Sequence, residues 1–298
     1  MILDEGAAFA KVIELLPVML IAFIWAMMAV AAGWTRGLFK PINSDHRSPV
    51  TGSDVMIGFG IFVIVQVLIL PWLITVGAYL VTGQEIVFEN LTQTARSWLD
   101  ISVLIGAYIP LALFYFYYLS KDKQASIFGD NSTPWYRHFL IGAATWLIIF
   151  PLVLFWGEFV DILILLSLHR SPLEQQPVEM FRSVTSNPLL SLCMGLVIFG
   201  LVPFAEEFLF RGLLQSWFKT LLDSPKWGIV LAALIFALFH YSHSQGVTNI
   251  QLLSSLFLLG CFLGFLYERQ RSLWASIGLH STFNAVSVLL IINEGVAQ

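Results

Sequence analysis

Residues 55–81 run without a single charged side chain. A helix needs about 20 mainly apolar residues to cross a bilayer. In hydrocarbon, only a helix or a closed barrel satisfies its own backbone. Runs of the same kind occupy residues 8–34, 101–119, 139–168, 189–218, 227–243, 252–267 and 273–292. The pattern predicts an all-α, polytopic membrane helix bundle of about eight transmembrane helices. Composition agrees: 58% of residues are hydrophobic and 11% charged, against about 25% charged in an average soluble domain. The formal net charge of −4 gives no reason to expect a nucleic-acid partner. Cys193 and Cys261 sit in apolar runs without a CxxC or Cys/His metal pattern and read as small packing residues. The start, with Asp4 and Glu5 and no basic region, does not read as a cleaved signal peptide.

Lys and Arg in the loops set orientation. Loops after the odd-numbered runs hold ten, and the N-terminal segment and even loops hold four. The count places the odd loops in the cytoplasm and both termini outside it; the expected location is a plasma membrane, as a bacterial inner membrane. Residues 120–134 read as a polar cytoplasmic loop and 169–188 as a longer external connector. The bilayer is the first expected partner.

A charged side chain in the bilayer costs about 2.5–3.5 kcal/mol on insertion scales, so polar groups at that depth need a reason. In the fifth run, Glu206, Glu207 and Arg211 interrupt an aromatic stretch. Glu207 and Arg211 are four apart and share a helix face, where they can pair. Glu206 points about 100° away, has no local cation, and is a competent general base. A structural ion pair with a spare acid is the other reading of these three. His240 ends the sixth run; alone, it reads as a hydrogen-bonded packing residue. His280 and Asn284 share a face of the last run, where two neutral donors serve either as interhelical glue or as oxyanion stabilisers. An acid, a histidine and a His/Asn pair on three separate runs of the C-terminal third make independent structural explanations harder to sustain.

Together, Glu206-Glu207-xxx-Arg211, Phe236-xxx-His240 and His280-xxx-Asn284 resemble the three motifs of the CPBP family. That family comprises type II CAAX prenyl endopeptidases and bacteriocin-processing or bacteriocin-immunity membrane proteases. The resemblance divides the chain into residues 1–185, four transmembrane helices with no recognised motif, and residues 186–298, a CPBP-like catalytic core. It implies an intramembrane endopeptidase acting on a peptide or lipidated protein substrate. Glu206 and His240 would activate water, His280 and Asn284 would hold the oxyanion, and Glu207 and Arg211 would brace the helix. No cofactor is expected in that mechanism. The alternatives are a zinc protease with Glu206, His240 and His280 as ligands, and a non-catalytic immunity or binding protein.

The spacing carries one conflict. In a core of about 30 Å at 1.5 Å per residue, His280 lies about 10 Å from the cytoplasmic side, His240 about 20 Å and Glu206, counted inward from Leu189, only about 5 Å. Catalysis requires the three to meet.

Overall fold

The computed structural model describes residues 3–40, 47–83, 87, 90–129, 132–171, 173 and 176–296. Asp130 and Asn131 of the first polar connector and Pro172 of the second lie outside the described residues. The elements are α1 (Glu5–Thr35), α2 (Gly52–Thr82), α3 (Gln93–Tyr118), α4 (Lys121–Phe128), α5 (Trp135–Leu168), α6 (Gln176–Arg182), α7 (Pro188–Leu221), α8 (Pro225–Leu238), α9 (Thr248–Gln270) and α10 (Leu273–Val296). There is no strand among the described residues. Seven of these helices are long and apolar enough to cross a membrane. The protein is an all-α polytopic membrane bundle, with large apolar side chains such as Ile21, Met28, Val67 and Leu80 exposed on its outside. Such a surface is stable only against lipid.

The predicted sixth span is shorter than the sequence suggested. Its helix, α8, has 14 residues, about 21 Å of rise against a hydrocarbon core of about 30 Å. Its end has a local cause. The ring Nδ1 of His240 takes the Phe236 carbonyl at 2.9 Å, the acceptor that the backbone N–H of His240 would use in a continuing α-helix. That N–H falls back on Ala237 instead. Asn249 then holds the departing chain by bonding both the N–H and the carbonyl of Ser242.

The fifth span agrees with its run at residues 189–218: α7 covers Pro188–Leu221, 34 residues, although its apolar part stops near Phe204. Two π-helical segments, Val197–Leu201 and Phe208–Gln215, flank a short α-helical stretch, Val202–Glu207. Pro203 explains the first. In the i→i+5 register the Ile198 carbonyl would accept from residue 203, and proline has no N–H. The Asn284 amide supplies the missing donor at 2.9 Å.

The predicted connectors are partly helical. α4 lies under the bundle with Ile127 fully buried, and Ser272 donates to the Phe128 carbonyl at 2.9 Å. The start of α10 is thereby sealed, with Leu273 and Ala275 wholly buried. α10 also packs along α5, which packs on α1. The α5–α10 crossing is too close for side chains. A Cβ on Gly142 would lie 1.9 Å from the Ala275 carbonyl oxygen, and one on Gly278 would lie 2.1 Å from that of Phe139. Small residues allow such backbone approach between membrane helices. Here it fixes the position of His280, two residues beyond Gly278.

Candidate active site

The depth conflict disappears once the true helix ends are used. Glu206 stands about 22 Å of rise from the end of α7 at Leu221, and His240 stands about 22 Å from the start of α8 at Pro225. The two helices share one hairpin, so equal rise places the two residues level. His280 is nearer its own helix end, but that end is buried beneath α4 rather than set at the surface.

The three side chains converge. His240 Nε2 is 3.8 Å from Glu206 Oε1, and His280 Nε2 is 3.7 Å from Glu206 Oε2. Both separations exceed a direct hydrogen bond, which ends near 3.2 Å, and suit a shared water. Glu206 and His240 keep 21% and 30% of their side-chain surface accessible, while His280 keeps 6%. Glu206 and His240 are thus open to water and the second imidazole is nearly enclosed.

Glu207 does more than the spacing suggested. Its Oε1 accepts from Arg211 at 2.8 Å and also from His280 Nδ1 at 2.8 Å. Adjacent residues on a helix point about 100° apart. Glu206 and Glu207 nevertheless reach opposite edges of one imidazole, because the His280 ring bridges the two directions. Phe236 completes the frame. Its ring stands perpendicular to that of His280 at 6.0 Å, lies 4.8 Å from that of His240, and carries the Arg211 guanidinium 4.4 Å from its centroid. Arg211 also donates to the Gly260 carbonyl at 3.3 Å, and both it and Glu207 are fully buried.

Both Nδ1 atoms are therefore occupied. The carbonyl of Phe236 can only accept, so His240 carries its proton on Nδ1 and turns the Nε2 lone pair toward Glu206. Asn284, expected beside His280 as an oxyanion donor, commits one of its two N–H bonds to Ile198. The zinc alternative requires Glu206, His240 and His280 to close around one ion. Among the described residues no group of three His, Cys, Asp or Glu side chains is arranged to hold a metal.

Sequence reasoning missed a polar stripe. Glu207, Arg211, Gln215 and Lys219 recur every fourth residue, and the last three bond to α9. Gln215 donates to the Gly264 carbonyl and to Glu268, and Lys219 pairs with Glu268 at 2.9 Å. The i, i+4 recurrence was its available signal. The stripe ends at a cavity of about 500 Å³ lined by Ser216, Lys219, Tyr267 and Glu268, separate from the Glu206 cluster. One further residue was missed: Asn249, which holds the His240 loop.

Comparison with curated proteins and with solved structures gave no match. A family model described as type II CAAX prenyl endopeptidase Rce1-like matches residues 188–286. This segment contains Glu206, Glu207, Arg211, His240, His280 and Asn284. That segment, which carries all three motifs, is thus similar to type II CAAX prenyl endopeptidases of the Rce1-like kind over about a third of the chain.

Proposed function

We propose that this protein is an intramembrane endopeptidase that hydrolyses a peptide bond in a membrane-associated or prenylated substrate without a metal. The observation that carries the reading is the placement of both imidazole Nε2 atoms within 3.8 Å of the Glu206 carboxylate. A water there donates one hydrogen to Glu206 and the other to the His240 lone pair. Its oxygen adds to the scissile carbonyl carbon while Glu206 takes a proton. The carbonyl oxygen becomes an oxyanion and accepts from His280 and from the remaining N–H of Asn284. With its Nδ1–H given to Glu207, His280 donates from Nε2 as the imidazolium, held between two carboxylates. Glu206 then passes its proton to the amide nitrogen, the C–N bond breaks, and the products are a carboxylic acid and an amine.

The order of roles follows from exposure. The base must meet incoming water, and Glu206 and His240 are the accessible pair. The oxyanion donor must be held rigid and dry, where a hydrogen bond counts for more, and His280 is enclosed by Glu207 and Phe236.

The test is cleavage of an internally quenched peptide ending in a farnesylated CAAX sequence, with the protein in proteoliposomes and the unprenylated peptide alongside. Glu206→Gln keeps the shape of the side chain and removes the base. Wild-type protein cleaves, and Glu206→Gln loses about a hundredfold to ten-thousandfold in kcat, the span of general acid–base contributions. Unchanged cleavage by Glu206→Gln refutes the mechanism. Preference between the two peptides reports whether the prenyl group is read.

A further inference from the structure

The polar stripe that begins at Glu207 ends, three turns later, at a cavity of about 500 Å³. Its walls come from the ends of separate elements: Arg47 before α2, Thr133 before α5, Lys219 in the last turn of α7 and Arg271 just after α9. Exposed Trp135 and Tyr136 follow Thr133 at the start of α5. Tryptophan and tyrosine at the ends of spanning helices mark the headgroup level of a bilayer. The charges of the cavity do not balance. Glu268 is the one carboxylate among the described residues that line it, and both its oxygens are committed. Oε1 accepts from Gln215 at 3.1 Å and Oε2 pairs with Lys219 at 2.9 Å. Arg47 touches Asp223 at 3.4 Å, but their side chains are 76% and 78% exposed, and a pair so open to water holds little. The Arg271 guanidinium and the Thr133 hydroxyl bond to no described residue. Two cations therefore line one cavity without a firm acceptor.

We infer that this cavity is a binding site for a terminal phosphate group, carried on a lipid headgroup or free in solution. The donors select the class. A guanidinium is a planar fork that matches oxyanions in bidentate fashion. A carboxylate offers two oxygens in one plane, enough for one such fork. A terminal phosphate presents three strong acceptor oxygens, which serve Arg47, Arg271 and the Thr133 hydroxyl from different sides. The charge agrees. Lys219 and Glu268 neutralise each other, so Arg47 and Arg271 face a mono- or dianion with nothing else lining the cavity to compete for them. The volume falls within the range of small-ligand sites, about 300–1,000 Å³. Basic pockets between transmembrane helices at headgroup level hold phosphate-bearing lipids elsewhere by the same attraction. The cavity shares no lining residue with the Glu206 cluster, so the inference does not depend on the protease reading.

The test is calorimetric titration of the full-length protein in a neutral detergent. The probes are inorganic phosphate, dihexanoyl phosphatidic acid and dihexanoyl phosphatidylcholine, the lipids kept below their own micellar concentration. Phosphatidic acid or inorganic phosphate binds saturably at one site per chain, and phosphatidylcholine does not. Tighter binding of phosphatidic acid identifies the lipid headgroup as the source; equal or tighter binding of inorganic phosphate identifies the free ion. Arg271→Gln and Arg47→Gln each weaken binding about tenfold, the loss of one charge-assisted hydrogen bond. Both residues are exposed, so the thermal midpoint without ligand stays where it is in the wild type. Lys226→Gln removes an exposed lysine at the start of α8, outside the cavity, and leaves binding unchanged. Absence of saturable binding by both phosphate probes overturns the inference, as does equal binding of phosphatidylcholine. Wild-type affinity in the Arg47→Gln/Arg271→Gln double variant overturns it too. So does an equal loss in Lys226→Gln, which reports diffuse attraction to a basic surface. Cleavage is not the readout, so failure of the protease mechanism and failure of this site are seen separately.

Discussion

Glu207 and Arg211 separate two roles that a single substitution confuses. Both side chains are fully buried and bonded at 2.8 Å, and the same carboxylate oxygen holds His280 Nδ1 at 2.8 Å. Glu207→Leu strands the guanidinium with a long bond to Gly260 and the face of Phe236. Breaking a buried pair in this way costs about 3–5 kcal/mol. Typical stabilities are about 5–15 kcal/mol, so the variant is strongly destabilised and inactive for uninformative reasons. The double variant Glu207→Leu/Arg211→Met is informative. It replaces the pair by apolar groups of similar volume, a change that is often neutral or stabilising. Stability should return to near the wild-type value by thermal unfolding in detergent. Cleavage of the quenched peptide should not return, because His280 has lost the carboxylate that holds its Nδ1–H and its ring plane. Recovery of both stability and cleavage in the double variant would show that Glu207 only braces α7 against Arg211, and would refute its assignment as the residue that orients His280.

Gly142→Ala places a methyl 1.9 Å from the Ala275 carbonyl oxygen, so α10 must move away from α5. Overpacking of this kind costs about 1–3 kcal/mol, and the shift of His280 lowers kcat more than it lowers the thermal midpoint; an unchanged kcat contradicts the account of the crossing. Asn249→Ala removes the bonds to Ser242 and Gly246 that end the His240 loop. It should leave the bundle intact, cost about 1–3 kcal/mol for the polar groups left unpaired, and reduce kcat, with hydrogen exchange rising only over the loop after α8. Exchange rising throughout α9 instead would make Asn249 a general stability residue. Dialysis of the active protein against a strong chelator should leave cleavage unchanged; loss that is restored by added zinc would replace the proposed mechanism with the metal alternative.

The membrane class, the helical architecture and the polar residues that converge in the candidate site were legible in the chain itself. Hydrocarbon forces the backbone into helices whatever the packing, so runs such as residues 55–81 determine a span without reference to any neighbour. Charges and imidazoles in apolar runs stand out because burial makes them costly, and Glu206, His240 and His280 were found for that reason. The Glu207–Arg211 pair was legible because it lies within one helix, where spacing equals geometry.

What could not be read was everything set by where a helix starts and stops relative to others. Hydropathy placed the end of the apolar part of α7 near Phe204 and extended α8 to His243. The polar groups at both places are satisfied by tertiary partners: the stripe after Glu207 by α9, and the His240 turn by Phe236 and Asn249. The false depth conflict came from counting Glu206 inward from Leu189 across a core of about 30 Å, when α7 runs on to Leu221. Likewise, only the packed bundle brings His280 to Glu207 and Asn284 to Ile198. Patterns along one helix report which residues are expensive to bury. The helix crossings, set by contacts such as Gly142 on Ala275 and the π-helical turns around Pro203, decide which partner offsets that cost.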